Sequence, residues 1–317
     1  MANRRAIVKR CKAVRNIKKI TRTMQLIATA RFQVALNRAV ASRPYTDKLA
    51  EMVADLAAVA EELTHPLLQR HDRAEPAAGG AGGPGGDADE GERSSLVVVS
   101  SNRGLCGGYN AHVLRAAIDH LDDLAARGVQ TAVTMVGKKG ASAFRFRGRE
   151  MAERIVDLDD RPRYEQVEPL ARRLTDRFLA GEVGSVWVAY TRFHSASRQT
   201  PELFQLLPLA QVGAAAGARA EPDAGERTGG YRPLYELRPS AAELLDRLLP
   251  AVVRARLFQS FLDAAVSEQI ARMAAMKAAT EAAEEMIGNL TRQYNRARQS
   301  QITLELLDIV GGANALA

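Results

Sequence analysis

Residues 273–304 read MAAMKAATEAAEEMIGNLTRQYNRARQSQITL. Within them Met273, Met276, Thr280, Ala283, Ile287, Leu290, Tyr294, Ala297, Gln301 and Leu304 follow one another at alternating steps of three and four. That spacing draws a single stripe along a helix, the seam by which one helix lies along another. Upstream, Ser240 with Glu243 three residues on offers an N-cap, so the helical reading runs from there to Val310. A kink is expected at Pro250, and Gly311-Gly312 is expected to end the helix. At ~1.5 Å per residue such a helix is roughly 100 Å long, more than a globular domain needs.

A seam in water needs a partner, and the other end of the chain offers one. Residues 3–43 read as one helix, in which Ile17, Ile20, Met24, Ile27 and Val34 keep the same alternation with Arg31 between them. Pro44 is expected to kink or interrupt it; helix then resumes through about Leu63 and stops at Pro66. Charge supports pairing the two ends. Met1–Thr46 carries 12 Lys or Arg and no Asp or Glu, while the whole chain has a net charge of +7, so the remainder is net acidic. Residues 261–290 hold Asp263, Glu268, Glu281, Glu284 and Glu285 against Arg272 and Lys277. Each exposed pair contributes only ~0–1 kcal/mol, so charge sets a preference and apolar burial sets the fold.

The middle of the chain has a different period. Leu96–Ser100, Thr131–Val136, Ser185–Tyr190 and Glu202–Ala210 read as strands, and Ala111–Arg127 and Val167–Ala180 as helices. Alternating strands and helices predict a partly parallel open sheet. The expected fold is therefore α/β: a central open, Rossmann-like domain plus a long antiparallel two-helix coiled coil made by the N- and C-terminal helices. The expected segments are 1–71 for the first helix, 72–93 for a flexible Gly-rich insert around 77–86, 94–239 for the α/β domain and 240–317 for the last helix. Val212–Gly230 is a second loose stretch rich in Ala, Gly and charge.

Candidate chemistry is sparse. No G-x-x-x-x-G-K-[ST] phosphate loop occurs, and the Gly-rich insert lacks the Lys-Ser/Thr that would follow one. Gly104–Gly108 follows a strand and precedes a helix, the context for phosphate binding, but its spacing is not G-x-G-x-x-G; a tight strand-to-helix turn is the better account. Gly137-Lys138-Lys139-Gly140 reads as a solvated turn. His65, His71, His112, His120 and His194 show no metal-ligand spacing with acids, and Cys11 and Cys106 make neither a disulfide framework nor a zinc site. No catalytic, cofactor-binding or metal residues are expected. No stretch reaches the ~18 apolar residues of a membrane span, so direct insertion is not expected.

Three blocks carry a resemblance. Gln301-Ile302-Thr303-Leu304-Glu305-Leu306-Leu307-Asp308-Ile309-Val310-Gly311-Gly312-Ala313-Asn314-Ala315, with Tyr294–Gln299 and Ala271–Lys277 upstream, resembles the carboxyl-terminal signature of ATP synthase gamma subunits of the F type. Ile17–Met24 with Ala41-Ser42-Arg43-Pro44-Tyr45 resembles that family's amino end, and Ser100–Asn110 its first strand-to-helix turn. Departures are the insert, Asn102 where the family usually has Asp, and Cys11 at a commonly aliphatic position; the insert does not look like the two-cysteine regulatory insertion of chloroplast relatives. A match from the first residues makes the basic amino end part of the helix, so no targeting segment is expected.

The resemblance implies a non-catalytic central-stalk shaft, coupling ion flow through a membrane rotor to ATP synthesis or hydrolysis by rotation, with no cofactor. It implies contact with the alpha and beta subunits of the catalytic head, the epsilon subunit and the c-subunit ring, and a peripheral location on the cytoplasmic face of a bacterial inner membrane. By the same resemblance Arg298 and Gln299 match positions that grip a beta-subunit loop, and Met24 matches one facing the beta lever. Ile309, Val310 and Leu316 match the bearing tip. Two rival readings remain at this level: a basic coiled-coil nucleic-acid-binding or scaffold protein, which the absence of aromatic interleaving disfavours, and a nucleotide-dependent enzyme built on residues 94–239.

Overall fold

A computed structural model describes residues 4–59, 65–68, 92–158, 160–209 and 241–316. The element order is α1 (Arg4–Val59), β1 (Arg93–Val99), α2 (Tyr109–Ala126), β2 (Gln130–Val136), α3 (Lys138–Phe146), β3 (Glu153–Ile155), α4 (Tyr164–Leu179), β4 (Ser185–Phe193), β5 (Gln199–Leu207) and α5 (Ala241–Leu316). The chain divides into two compact units. One comprises Met1–Phe32, Leu105–Gly107 and Gln269–Ala317; the other comprises Gln33–Gly104 and Gly108–Glu268.

The larger unit is a five-stranded sheet in the order β3-β2-β1-β4-β5. Strands β1, β2, β3 and β4 pair in parallel, and β5 closes the edge antiparallel to β4. The run Leu96-Val97-Val98-Val99 decides why β1 sits in the middle. Successive side chains of a strand point to opposite faces, so a run apolar at every position is satisfied only where both faces are covered. Leu96 and Val98 face Val113, Leu114 and Ala117 of α2 and Phe144 of α3. Val97 and Val99 face the other layer, where α4 supplies Leu170, Leu174 and Phe178, α1 supplies Leu49, Val53 and Leu56, and α5 supplies Leu249, Val253 and Leu257. The result is a three-layer α/β/α sandwich, the expected open sheet.

Two elements were not anticipated. Gly137–Gly140 is not a solvated turn: helix α3 begins at Lys138. Gly137 has φ 97°, and a Cβ there would lie 2.3 Å from the Ser100 carbonyl oxygen. Glycine therefore marks a tight strand-to-helix junction here, and the two lysines after it open a helix. The short edge strand β3 was also missed, because three residues carry too little periodicity to read.

In the smaller unit α1 and α5 pack antiparallel. Arg4 lies over the Tyr294 ring at 5.8 Å, Lys18 Nζ is 2.7 Å from Glu284 Oε1, and Thr280 Oγ1 donates to Thr21 Oγ1 at 2.8 Å. As one number rises the other falls. The α5 side of this seam is the stripe expected from the sequence as far as Ala297: Met276, Thr280, Ala283 and Leu290 are buried, and Ile287, Tyr294 and Ala297 are partly so, while the expected Gln301 and Leu304 are exposed. The α1 side is not. Its seam is Ile7, Val14, Thr21 and Ala28, each seven residues from the last, with Cys11 half-buried between the first two. The expected residues Ile17, Ile20, Ile27 and Val34 lie on the neighbouring face, 41–58% exposed. The physical reason is size: small Thr21 and Ala28 allow close approach to Thr280 and its neighbours, where isoleucines would hold the helices apart.

Prolines and glycines are also tolerated beyond expectation. Helix α1 continues through Pro44. The bond lost there is to the carbonyl of Val40, an exposed residue, so water can take the place of the missing N–H. Helix α5 likewise continues through Pro250 and past Gly311-Gly312 to Leu316, since the alanines and leucine that follow the glycines are good helix formers. Residues 60–64, Ser240, the 77–86 insert and 212–230 lie outside the described residues.

The seam register predicts distinct costs. Leu290→Ala, at a site 6% exposed, is expected to lower stability by ~2–3 kcal/mol, while Ile20→Ala, 58% exposed, is expected to stay within ~0.5 kcal/mol of the parent. Urea unfolding followed by helical circular dichroism checks both, and equal costs would contradict the register.

Candidate functional site

Helix α5 passes through three environments along its length. Residues 261–270 are buried on every side, residues 276–297 bury one stripe, and residues 298–311 are exposed throughout. That last stretch nevertheless carries Ile302, Leu304, Leu306, Leu307, Ile309 and Val310, 42–68% exposed. On α1 the exposed Ile17, Ile20, Leu26 and Ile27 lie among the cations of the amino end. Soluble surfaces scatter single apolar side chains without consequence, but runs of this density mark an interaction surface.

The residues singled out from the sequence fall at separate stations on this surface. Met24 is half-buried on α1. Arg298 and Gln299 are exposed on α5, just beyond the seam, and the Gln299 carbonyl accepts from Thr303 Oγ1 at 3.0 Å. By the antiparallel register Arg298 lies opposite the start of α1, some twenty residues from Met24, or ~30 Å along the helices. They do not form one site. Ile309 and Val310 are exposed; the side chain of Leu316 lies outside the described residues. The exposed α1 face is the feature the sequence reading misplaced, since its isoleucines were assigned to the seam.

At the carboxyl ends of its strands, where an α/β sheet ordinarily binds ligands, the backbone donors that open α3 are already used. The amide nitrogens opening α3 are capped by the loop after β1. Lys138 N donates to Asn102 Oδ1 at 3.0 Å, Lys139 N to the Ser101 carbonyl at 3.0 Å, and Gly140 N to Ser100 Oγ at 3.1 Å. Asn102 Nδ2 donates in turn to the Leu158 carbonyl at 2.5 Å. An amide does both; a carboxylate could only accept, which gives the Asn at this position a structural sense. Beside this loop, Val99, Val136, Leu158 and Phe261 line a cavity of about 30 Å³, space for water and far below the several hundred Å³ of a ligand pocket.

The Gly104–Gly108 turn also serves packing. In the smaller unit Gly107, at φ 57°, comes close to α5: a Cβ there would lie 3.6 Å from Ala275 Cβ. His65 is engaged by Asp246 at 3.1 Å, and His120 packs on Trp187 with ring centroids 4.6 Å apart, its pKa held down by burial. Among the described residues there is no His/Cys/Asp/Glu cluster fit for a metal ion and no helix long and apolar enough to cross a membrane.

Comparison with known proteins matches this architecture. The ATP synthase family model spans residues 3–316. The ATP synthase gamma chain of Rhodopirellula baltica is 41% identical over 100% of this chain and 99% of its own length. This chain belongs to the ATP synthase gamma-chain family. The gamma chain of Frankia casuarinae is 39% identical over 98% of this chain and 96% of its own. Among solved structures, chains of the Euglena gracilis mitochondrial ATP synthase share the fold. One from the rotor covers 94% of this chain and 98% of its own length at TM-score 0.60 and 15% identity; another, from an OSCP/F1/c-ring structure, covers 99% and 94% at TM-score 0.62 and 17% identity. Gamma chains are the non-catalytic central-stalk subunits of a membrane-associated assembly, and this chain has that role.

The electrostatics of the helix pair can be tested directly. The hydrogen bond from Lys18, reinforced by its charge, lowers the pKa of the exposed Glu284 carboxyl. A lowered carboxylate pKa means that the pair's contribution is present above the ordinary carboxylate range and is lost as pH falls through the lowered value. Lys18→Met is expected to return the Glu284 titration to the ordinary range, read by NMR of its side-chain carboxyl; an unmoved midpoint would show the bond to be absent in solution.

Proposed function

We propose that the exposed faces of α1 and α5 are the bearing surfaces of a rotating shaft. The observation that carries this reading is the bare stretch of α5, residues 298–311, with six large aliphatic side chains open to water. Full burial of such a side chain contributes ~1.5–3 kcal/mol relative to exposure, so a hydrophobic sleeve around the tip would gain several kcal/mol without fixing any one orientation. Apolar contact is non-directional, which suits a surface that must slide.

On this reading the sleeve is the ring of alternating alpha and beta subunits. Ile309, Val310 and Leu316 form the tip, Arg298 and Gln299 grip a beta-subunit loop, and Met24 faces the beta lever. The α/β domain, residues 94–239, sits with the epsilon subunit on the c-subunit ring, at the cytoplasmic face of a bacterial inner membrane. Two helices wound together present a different side to each of three beta sites. Rotation shifts each site between open and closed states by differential contact, and the shaft supplies no bond chemistry of its own. A nucleic-acid reading uses only the cations of α1 and leaves the apolar tip without a role.

Arg298 is the sharpest test. It is exposed and outside the seam, so Arg298→Ala is expected to leave unfolding unchanged within ~0.5 kcal/mol. In a reconstituted complex the same variant is expected to lower ATP synthesis. Unchanged synthesis would remove Arg298 from the torque path, and failure of the parent chain to co-assemble with alpha and beta subunits would sink the shaft reading itself.

A further inference from the structure

A shaft transmits torque only if it is held against rotation in the body that drives it. Within the larger unit, α1 and α5 meet β4 through a compact set of polar contacts. Arg43 on α1 is the hub: its Nη2 donates to the Phe193 carbonyl at the end of β4 at 3.1 Å and lies 3.4 Å from Asp263 Oδ1 on α5. Gln259 Nε2, one turn earlier on α5, donates to the same Asp263 oxygen at 3.0 Å and lies 3.4 Å from the Ala39 carbonyl of α1. One turn later Ser267 Oγ donates to the Thr191 carbonyl of β4 at 3.1 Å. Two helices and a strand are thus tied at one level, beside buried Ala39 and above the core residues Leu49 and Val53.

The chemistry of this set differs from the core beneath it. Apolar contacts resist separation but let helices slide or turn; hydrogen bonds to fixed carbonyls resist rotation because they are directional. Asp263 is buried, and burial pushes its carboxyl pKa up while Arg43 and the Gln259 amide draw it back down. A buried acid is costly unless partnered, and the partners of Asp263 are a cation on a second helix and an amide that reaches that helix.

We infer that Arg43, through Phe193 and Asp263, is the positioning residue that locks the helix pair to the sheet against twisting. This rests on the shaft reading above. Arg43 touches no partner-binding surface named there, so its loss acts by softening the root of the shaft.

The test uses the full chain assembled with its alpha and beta subunits in membrane vesicles. Arg43→Met is expected to leave ATP hydrolysis near the parent rate while ATP-driven ion pumping falls. Loss of a hydrogen bond to a charged group is expected to raise amide exchange around residues 39–47 by about 10- to 100-fold. Because Arg43→Met strands the Asp263 carboxylate, the double variant Arg43→Met/Asp263→Asn is made alongside it. The double variant is expected to recover the parent unfolding midpoint and to remain uncoupled, which a purely structural role would not produce. Coupled pumping at the parent ratio by either folded, assembled variant overturns the inference. A parent chain that fails to assemble counts against the shaft reading instead, so the two failures are distinguishable.

Discussion

The narrowness of the seam between α1 and α5 is the constraint on which the rest depends. Among the described residues its buried apolar side chains are Ile7, Val14, Ala28, Met276, Ala283 and Leu290, with a threonine pair at Thr21–Thr280. Such a seam contributes little per turn, and an isolated helix is costly to nucleate. What makes helices of 56 and 76 residues stable is that each also runs through the core of the larger unit, where Leu49, Val53 and Leu56 of α1 and Leu245, Leu249, Val252, Val253 and Leu257 of α5 are buried. A helix held in that core needs only to be continued, one hydrogen bond per residue, so a thin seam suffices. A thin seam also leaves most of each helix surface free for other contacts.

Helix α5 shows the division of labour within one element. Buried on all sides at residues 261–270, it is a core helix; with one stripe buried at 276–297, it is half of a coiled coil; bare at 298–311, it is a surface awaiting cover. Averaged over its length its amphipathicity vanishes, because three different patterns follow one another. No single periodicity describes it, and none should, since root, shaft and tip have different surroundings.

This explains what was legible in the sequence. The α5 stripe from Met276 to Ala297 was readable because it faces one partner over about six turns, and the α/β alternation was readable because Leu96–Val99 is apolar at every position. The α1 seam was not. Reading by hydrophobicity favours Ile17, Ile20 and Ile27 over Thr21 and Ala28, but beside Thr280 close approach selects for size, and the isoleucines there are left on the outside. The same effect hid the exposed face of α1: what resembled a buried stripe is open to water. Pro44 and Gly311-Gly312 misled for a related reason, since local breaking tendencies of ~1–3 kcal/mol are overridden where the helix is held elsewhere or where water can replace the lost bond. Lys138–Phe146 was hidden because Gly137 reads as a loop signal until Ser100 is seen pressed against it.

The sheet's carboxyl edge makes the same point about function. In an open parallel sheet this edge is where helix N-termini present unpaired amides to ligands. Here Ser100, Ser101 and Asn102 cap α3 from within, and Phe261, Ala264 and Ala265 of α5 line the small space that remains. The groups that would hold a phosphate in an enzyme instead tie loop to helix, and α5 occupies the ground beside them. At this junction the sandwich keeps its rigidity, and the space beside it is too small for a ligand. On the proposal above, such stiffness matters most at the level where Arg43 and Asp263 join helix to strand.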